Sequence, residues 1–336
     1  MNHIISHWKK YFGFLISALF LWLALRKVEW DKIPPLIAQA KLGLLYLPII
    51  SFTCEHVFRA FRWNSILRGR NIPFYSLYSG IVFCYFFNNI LPARAGEIIR
   101  SYHLGKGGII STSEAFGSVF LERFLDGLFV ISILAYLIFS FKLPGVIEKA
   151  IFSAVIFYAG IFVFMALLQY KKPAVDRFFH FFLKPLPEKL QERIIRIEDS
   201  FVKGFALIKY PGPFLNSIIW TYISWAFSLF TIWLQLKIWS IPLEMPQLFL
   251  FVGILSIGAM IPSSPGMIGI YQYCCVLALT DIIGLEKEKA VAFSLASHIF
   301  SYFYVLFVGV ILMFYENISF RELSKEAEQE PVEEPL

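Results

Sequence analysis

Long apolar stretches limit this chain to a membrane fold more strongly than any other feature. Lipid offers the backbone no hydrogen-bond partners, so a segment that crosses a bilayer must satisfy its own N–H and C=O groups, as a helix does. The composition agrees, since 58% of the residues are hydrophobic, 16% are charged and the mean hydropathy is +0.66. We therefore expect an all-α polytopic membrane protein. Six continuous stretches of about spanning length lie at residues 11–25, 42–66, 114–141, 147–169, 213–239 and 289–315.

Two further apolar stretches, 74–103 and 246–282, are interrupted by helix-breaking residues. The interruptions at 91–98 and 261–268 share an aliphatic-Pro-x-x-x-Gly-x-Ile pattern. At membrane depth such breaks are tolerated only where protein or a water-filled cavity satisfies the freed backbone groups. We expect two broken or re-entrant helical hairpins that approach each other around a functional centre; the alternative is a pair of tight turns between ordinary spans. The break residues are Pro92, Gly96, Pro262, Pro265 and Gly266.

Basic residues set the expected orientation. The segment 171–212 holds nine Lys and Arg residues and should face the cytoplasm, because cytoplasmic loops carry the excess of positive charge. Each hairpin returns the chain to the side from which it came, so both termini join that segment. Sixteen basic residues then lie on the cytoplasmic side and nine on the other. We predict cytoplasmic N- and C-termini, with residues 11–25 retained as a first span.

The segment 171–212 also divides the chain into two membrane halves, 1–170 and 213–315. In this topology the hairpins enter from opposite sides, so an inverted repeat is the economical interpretation. Apolar residues of the segment recur every three or four positions, which indicates an amphipathic helix on the inner leaflet; a soluble cap is the alternative. The acidic tail, 316–336, lacks periodic apolar residues and is expected to be disordered.

Ionisable residues within the apolar stretches need partners or a cavity, because a charge at the bilayer centre costs about 2.5–3.5 kcal/mol. Glu122 and Asp126 share a helix face and repel each other unless a cation is near, which an arginine of the first hairpin could supply. Arg62 and Trp63 could instead snorkel to the interface. Each charged set either forms a binding site or serves as internal ion pairs and contacts to lipid phosphates. The three sets are Arg94, Glu97 and Arg100; Glu122, Arg123 and Asp126; and Glu55, Arg59 and Arg62.

Other site chemistries are not supported. The four cysteines, Cys54, Cys84, Cys274 and Cys275, lie in apolar stretches and indicate core positions rather than disulfides or a metal site. His298 is expected to be a satisfied core or interfacial histidine. The sequence has no Walker phosphate loop, no His-Glu-x-x-His and no Gly-x-Ser-x-Gly. We therefore expect no metal, no cofactor, no nucleic-acid partner, and neither ATP-driven transport nor a familiar hydrolase.

Three motifs occur in order: Asn89-x-Leu91-Pro92-x-Arg94-x-Gly96-Glu97-x-x-Arg100, Glu122-Arg123-x-x-Asp126 and Pro262-x-Ser264-Pro265-Gly266-x-x-Gly269. Together they resemble the flippase-like membrane domain family, which includes the membrane half of lysylphosphatidylglycerol synthase. The likeness extends over about residues 10–315 and departs at Met267, where a second glycine is common, and at Gln272, where a glutamate is common. It implies a lipid-handling protein of the bacterial or archaeal plasma membrane and adds Gly269 to the second break.

The leading hypothesis is a flippase that moves a phospholipid or a lipid-linked precursor through a polar cavity at the two broken hairpins. Arg94 and Arg100 would attract the lipid phosphate, and Glu97 and Asp126 would neutralise these arginines in the empty site. One alternative is an integral-membrane transferase that acts on a lipid carrier, with Glu97 or Asp126 as a base. Another is a non-catalytic scaffold for a lipid-modifying enzyme partner. The candidate binding residues are Asn89, Arg94, Glu97, Arg100, Glu122, Arg123, Asp126, Ser263 and Ser264.

Overall fold

A computed structural model describes residues 2–68, 70–92, 94–106, 108, 110–140, 145–170, 206–261 and 263–318, together with isolated positions between 183 and 195. Within these ranges the chain is helical and contains no β-strand. The expected all-α class is therefore confirmed for this part of the chain. Most of the predicted amphipathic segment 171–212, residues 319–336 of the predicted acidic tail, and Pro262 lie outside the described residues.

Eleven α-helices account for most of the described chain. They are α1 (Asn2–Leu25), α2 (Ile33–Gln39), α3 (Tyr46–Ile66), α4 (Phe74–Ile90), α5 (Gly96–Gly105), α6 (Thr112–Ser140), α7 (Gly145–Tyr170), α8 (Pro211–Ile238), α9 (Met245–Gly258), α10 (Ile270–Leu277) and α11 (Lys287–Glu316). Short 3-10 turns lie at Trp30–Lys32, Leu42–Leu44, Ala206–Lys209 and Pro265–Met267, and a π-helical turn lies at Ala278–Ile282.

Apolar helices match the predicted stretches in position. Three segments of the described chain are long and apolar enough to cross a bilayer: Leu42–Ile66, Pro211–Ile238 and Lys287–Glu316. Shorter apolar segments lie at Gly13–Leu25, Val155–Leu167 and Met245–Gly258. Helix α6 carries several charged residues among its apolar ones, and three of them, Glu122, Arg123 and Asp126, belong to the site described below.

Both predicted interruptions of the apolar stretches are present. The first separates α4 from α5, and the second separates α9 from α10. In each break one residue other than glycine adopts the left-handed backbone region, Arg94 with φ +56° and Met267 with φ +58°. A residue with this positive φ cannot continue a right-handed helix, because the helix requires a negative φ.

The chain divides into two compact units, each built from several segments. In the described part, unit 1 comprises residues 2–56, 81–99 and 224–318, and unit 2 comprises 57–80 and 100–223. In unit 1, α10 packs against α1, α9 and α11. In unit 2, α6 packs against α7, with the ring of Phe124 stacked on those of Tyr158 and Phe162.

Candidate functional site

A cluster of buried charges forms in unit 2 around the two carboxylates of α6. Glu122 and Asp126 lie one helical turn apart and therefore share a face. Helix α3 contributes Arg59 and Arg62, which also share a face, and α5 contributes Arg100. The expected arginine of the first hairpin is thus Arg100, and the structure confirms its pairing with α6.

Glu122 forms ion pairs with three arginines and accepts hydrogen bonds from two of them, Arg100 and Arg123. Its Oε1 lies 2.6 Å from Nη2 of Arg62 and 3.0 Å from Nη2 of Arg123, and its Oε2 lies 2.9 Å from Nη2 of Arg100. Glu122 is 1% exposed, and Arg62 and Arg100 are 0% exposed. A buried carboxylate needs this degree of pairing, because its desolvation otherwise costs several kcal/mol.

Asp126, the second carboxylate of the cluster, also forms ion pairs with three arginines. Its Oδ1 lies 2.5 Å from Nη1 of Arg62 and 3.8 Å from Nη1 of Arg59, and its Oδ2 lies 3.4 Å from Nη1 of Arg123. Arg62 therefore bridges the two carboxylates with its two terminal nitrogens. A planar guanidinium fits this role better than an ammonium group, because its donors are fixed in a fork.

Trp63 fixes the position of Arg100. The guanidinium of Arg100 lies 4.5 Å from the centroid of the indole ring, and the Trp63 Nε1–H donates to Oγ of Ser118 on α6 at 2.8 Å. The expectation that Arg62 and Trp63 snorkel to the interface is wrong, since both side chains are fully buried. The partner carboxylates on α6 keep Arg62 inside the protein.

Arg123 is the accessible edge of the cluster. Its side chain is 34% exposed, whereas those of Arg59, Arg62 and Arg100 are 7%, 0% and 0% exposed. The contacts of Arg62 and Arg100 with Glu122 are sealed inside the protein and join three helices. The cluster therefore combines sealed ion pairs that join three helices with one partly exposed arginine.

The other predicted binding residues lie in unit 1, at the two breaks. Arg94 is exposed, and its Nη2 donates to the backbone carbonyl of Ala259 at 2.5 Å. Ala259 is the C-cap of α9, so Arg94 places a positive charge at the negative end of that helix dipole. Arg94 thus links the first break to the second. Glu97 lies in the first turn of α5 and is partly buried.

Each break restarts its second helix at a glycine whose N–H is bound by a side-chain amide. The N–H of Gly96 donates to Oδ1 of Asn88 at 3.0 Å, and the N–H of Gly269 donates to Oε1 of Gln272 at 2.7 Å. A Cβ atom at Gly96 would lie 2.0 Å from the carbonyl oxygen of Cys84, and one at Gly269 would lie 2.1 Å from that of Ser17. Both glycines therefore allow a backbone approach that no side chain permits.

Tyr302 of α11 joins the two breaks. Its hydroxyl donates to the backbone carbonyl of Asn89 at 2.9 Å, and its ring packs against Gly266, where a Cβ atom would lie 2.6 Å from the ring. A Cβ atom on Gly266 would also lie 3.5 Å from the Asn89 carbonyl oxygen. The two breaks therefore lie close together, as expected, while their position near the middle of the bilayer and a functional centre between them stay predictions.

Ser263 and Ser264 pack against α1. The N–H of Ser264 donates to Oγ of Ser17 at 2.8 Å, and a Cβ atom at Gly13 would lie 3.2 Å from the Ser263 carbonyl oxygen. Ser264 Oγ faces the carbonyl of Ile268 at 3.5 Å. In this structure the backbone of the two serines anchors the second break to the first helix, and a role for their hydroxyls in ligand binding stays a prediction.

Several contacts of the site were not predicted from the sequence. Helical spacing groups Arg59 and Arg62 with Glu55 on α3. It does not indicate that α6 carries the partners of the two arginines. Ser17 and Tyr302 carry no charge, and nothing in the sequence marks them as contacts of the breaks. His298 was expected to be satisfied, and it is: its ring nitrogens bond Gly266 O and Gln272 Nε2. The described residues contain no cluster of His, Cys, Asp and Glu that could hold a metal ion.

The chain is similar to several archaeal membrane proteins. The UPF0104 membrane protein PH1989 of Pyrococcus horikoshii is 23% identical over an alignment that covers 91% of this chain and 96% of that protein. The UPF0104 membrane protein MJ1078 of Methanocaldococcus jannaschii is 29% identical over 73% of this chain and 99% of that protein. No solved structure matches the chain significantly.

The resemblance drawn from the three motifs is confirmed by a family profile. The profile of the lysylphosphatidylglycerol synthase transmembrane region matches residues 11–309, which include both breaks and the whole charge cluster. With its apolar helices, this match makes the chain a multi-pass membrane protein, and it belongs to the family of the lysylphosphatidylglycerol synthase transmembrane region.

Proposed function

We propose that this protein moves a phosphate-bearing lipid between the leaflets of the bacterial or archaeal plasma membrane. The observation that carries the proposal is the charge cluster of unit 2, in which four arginines surround two carboxylates within a membrane domain. Ionisable groups at membrane depth are expensive and mark ligand or ion pathways more often than not. Guanidinium groups bind phosphate bidentately, which makes a lipid phosphate the fitting ligand.

Arg123 is the proposed point of entry for the phosphate. It is held by Glu122 Oε1 at 3.0 Å and Asp126 Oδ2 at 3.4 Å, and it is far more exposed than the other three arginines. Glu122 and Asp126 pair with the two terminal nitrogens of Arg123 that a phosphate would use. A phosphate at Arg123 would displace the longer contact with Asp126, while Glu122 stays bound to Arg62 and Arg100.

We also propose the membrane topology of six continuous spans and two broken hairpins, with both termini in the cytoplasm. The breaks share one backbone feature that supports an inverted repeat, a left-handed residue other than glycine at the same distance from a proline. In both, a Pro precedes the left-handed residue by two positions and a restart glycine by four: Pro92, Arg94 and Gly96 in one, and Pro265, Met267 and Gly269 in the other. The backbone thus matches the first break to residues 265–269, three positions later than the sequence pattern does. Residues 171–212 are proposed to lie on the inner leaflet between the two halves.

Reconstituted vesicles test the proposal. Purified protein is placed in liposomes that carry trace amounts of a phospholipid with a fluorescent headgroup, and a membrane-impermeant reductant is added outside. Protein-free vesicles protect about half of the dye, the inner-leaflet share; a translocating protein exposes nearly all of it. A diacylglycerol analogue without phosphate, labelled on its glycerol, is the matched control for headgroup recognition. If dye protection equals that of protein-free vesicles for every phospholipid tested, the scaffold hypothesis for a lipid-modifying enzyme is favoured instead.

A further inference from the structure

Three hydrogen bonds connect His298 of α11, through Gln272, to two glycines of the second break. The N–H of Gly269 lies 2.7 Å from Gln272 Oε1, Gln272 Nε2 lies 2.7 Å from His298 Nδ1, and His298 Nε2 lies 2.8 Å from the Gly266 carbonyl oxygen. The relay begins and ends on residues three apart in the break. His298 and Gln272 thereby clamp the turn that contains the two positive-φ glycines.

The direction of every bond in this relay is fixed by its two ends. The Gly269 N–H is a donor, so the amide atom that faces it is the oxygen of Gln272, and the Gln272 NH2 group must face His298. The Gly266 carbonyl is an acceptor, so the proton of His298 lies on Nε2 and Nδ1 is an acceptor. The relay therefore requires His298 to be neutral, in the Nε2–H tautomer.

A second proton on His298 is incompatible with this relay. It would place an Nδ1–H donor against the NH2 donor of Gln272. Rotation of the Gln272 amide by half a turn restores that contact, but it turns an NH2 group toward the Gly269 N–H and removes the acceptor from that glycine. A buried N–H without a partner costs about 1–3 kcal/mol. Protonation at one residue is thus coupled to the backbone of the break.

Protonation is the main change that can alter the hydrogen bonds of His298 in these surroundings. The ring of Tyr271 stacks on the imidazole with centroids 4.6 Å apart, and the ring of Tyr302 meets it edge-on at 6.1 Å. Cys275, on the same helix as Tyr271, is buried. In the described part of the chain, no charged side chain forms an ion pair with His298. The imidazole is only partly buried.

We propose that His298 is a proton-binding site that controls the second helix break. Neutral His298 keeps the turn of residues 266–269 hydrogen-bonded, and protonation of His298 disrupts these bonds and releases the turn. Histidine is suited to this role because its charge changes between about pH 5 and pH 8. The same helix carries Tyr302, which holds the carbonyl of Asn89 in the first break. Release would therefore loosen the point where the two breaks meet. This proposal goes beyond the proposed function and does not depend on lipid movement.

Hydrogen exchange of the full-length protein in lipid nanodiscs tests the proposal. Peptides that cover residues 263–272 are followed at about pH 8 and about pH 5, and the rates are corrected for the intrinsic effect of pH. Protection of these amides should fall by about tenfold or more at the lower pH in the wild type. The His298→Gln variant carries an amide that can donate to Gly266 and accept from Gln272 without titrating, so its protection should not depend on pH.

The Gln272→Glu variant makes the sharper test, because it should reverse the sign. Its carboxylate can accept from the Gly269 N–H and from a protonated Nδ1, so the break should be protected at low pH and released at high pH. His103→Gln, at a histidine that contacts Ser79 in unit 2, is the control and should respond as the wild type does. A wild-type break whose protection does not change with pH would overturn the proposal, as would a full pH response in His298→Gln or a wild-type response in Gln272→Glu.

Discussion

At the scale of single residues, the charge cluster contains residues with two different roles, helix packing and proposed ligand binding. The sequence motif does not distinguish the two. Arg62, Arg100 and Glu122 are sealed, so their contacts mainly hold α3, α5 and α6 together. Arg123 lies on the same helix as Glu122 but is one-third exposed. A buried charge that loses its partner is strongly destabilising, whereas an accessible pair contributes little. Stability and ligand binding should therefore respond to different arginines.

We expect Arg62→Gln to destabilise the protein by about 3–5 kcal/mol, because it leaves both carboxylates without their bridging cation. Arg123→Gln should cost about 1 kcal/mol or less, since its pair is partly solvated. The measurement is the melting temperature of each purified variant in the same detergent, scored by loss of the monodisperse peak. Equal losses of stability in the two variants would show that the cluster has no accessible edge.

At the scale of elements, the sequence identified both helix breaks but not what holds them. Pro92, Gly96, Pro265 and Gly269 are strong local signals, because proline and glycine act on the backbone at their own positions. The contacts of Gly269 with Ser17 and of Asn89 with Tyr302 join residues more than two hundred positions apart. No periodicity in the chain encodes such pairs. The fold class and the breaks were therefore predictable, while the partners of the charges and of the breaks were not.

Gly269→Ala should destabilise unit 1 for two reasons. The position has φ +90°, which an L-alanine adopts only with strain, and the new Cβ would lie 2.1 Å from the Ser17 carbonyl oxygen. Helices α1 and α10 would have to separate to accept it. The matched control is Gly160→Ala on α7, where a Cβ meets nothing within 4 Å. That variant should be neutral or slightly stabilising, because alanine favours a helix over glycine.

Thermal unfolding in detergent distinguishes the two glycines. A melting temperature for Gly269→Ala as high as that of Gly160→Ala would mean that α1 does not pack closely against the second break.

At the scale of the whole molecule, the proposed topology sets how the chain lies in the membrane. The proposed orientation depends on sixteen basic residues against nine, nine of the sixteen being in the segment 171–212. That segment falls largely outside the described residues, so charge alone supports the assignment. The proposed inverted repeat has one further support, because Arg94 and Met267 take the same left-handed conformation two residues after a proline.

Single cysteines at Lys184 and Glu330 test the orientation in a background without the four native cysteines. Both should react with a membrane-impermeant maleimide only after the cells are permeabilised, because both sites are proposed to be cytoplasmic. A cysteine in place of Lys142, which the topology puts on the outer side, is the matched control and should label in intact cells. Labelling of the Lys184 or Glu330 site in intact cells would reverse the topology.

The most direct test of lipid translocation is its rate in vesicles that hold equal amounts of folded wild-type or Arg123→Gln protein. We predict that the variant exposes a headgroup-labelled phospholipid at least about tenfold more slowly, which is the loss of roughly 1.4 kcal/mol of interaction with the phosphate. Its melting temperature should stay close to that of the wild type. Equal rates for the two proteins would contradict the account, since the accessible arginine of the charge cluster would then have no part in moving the lipid.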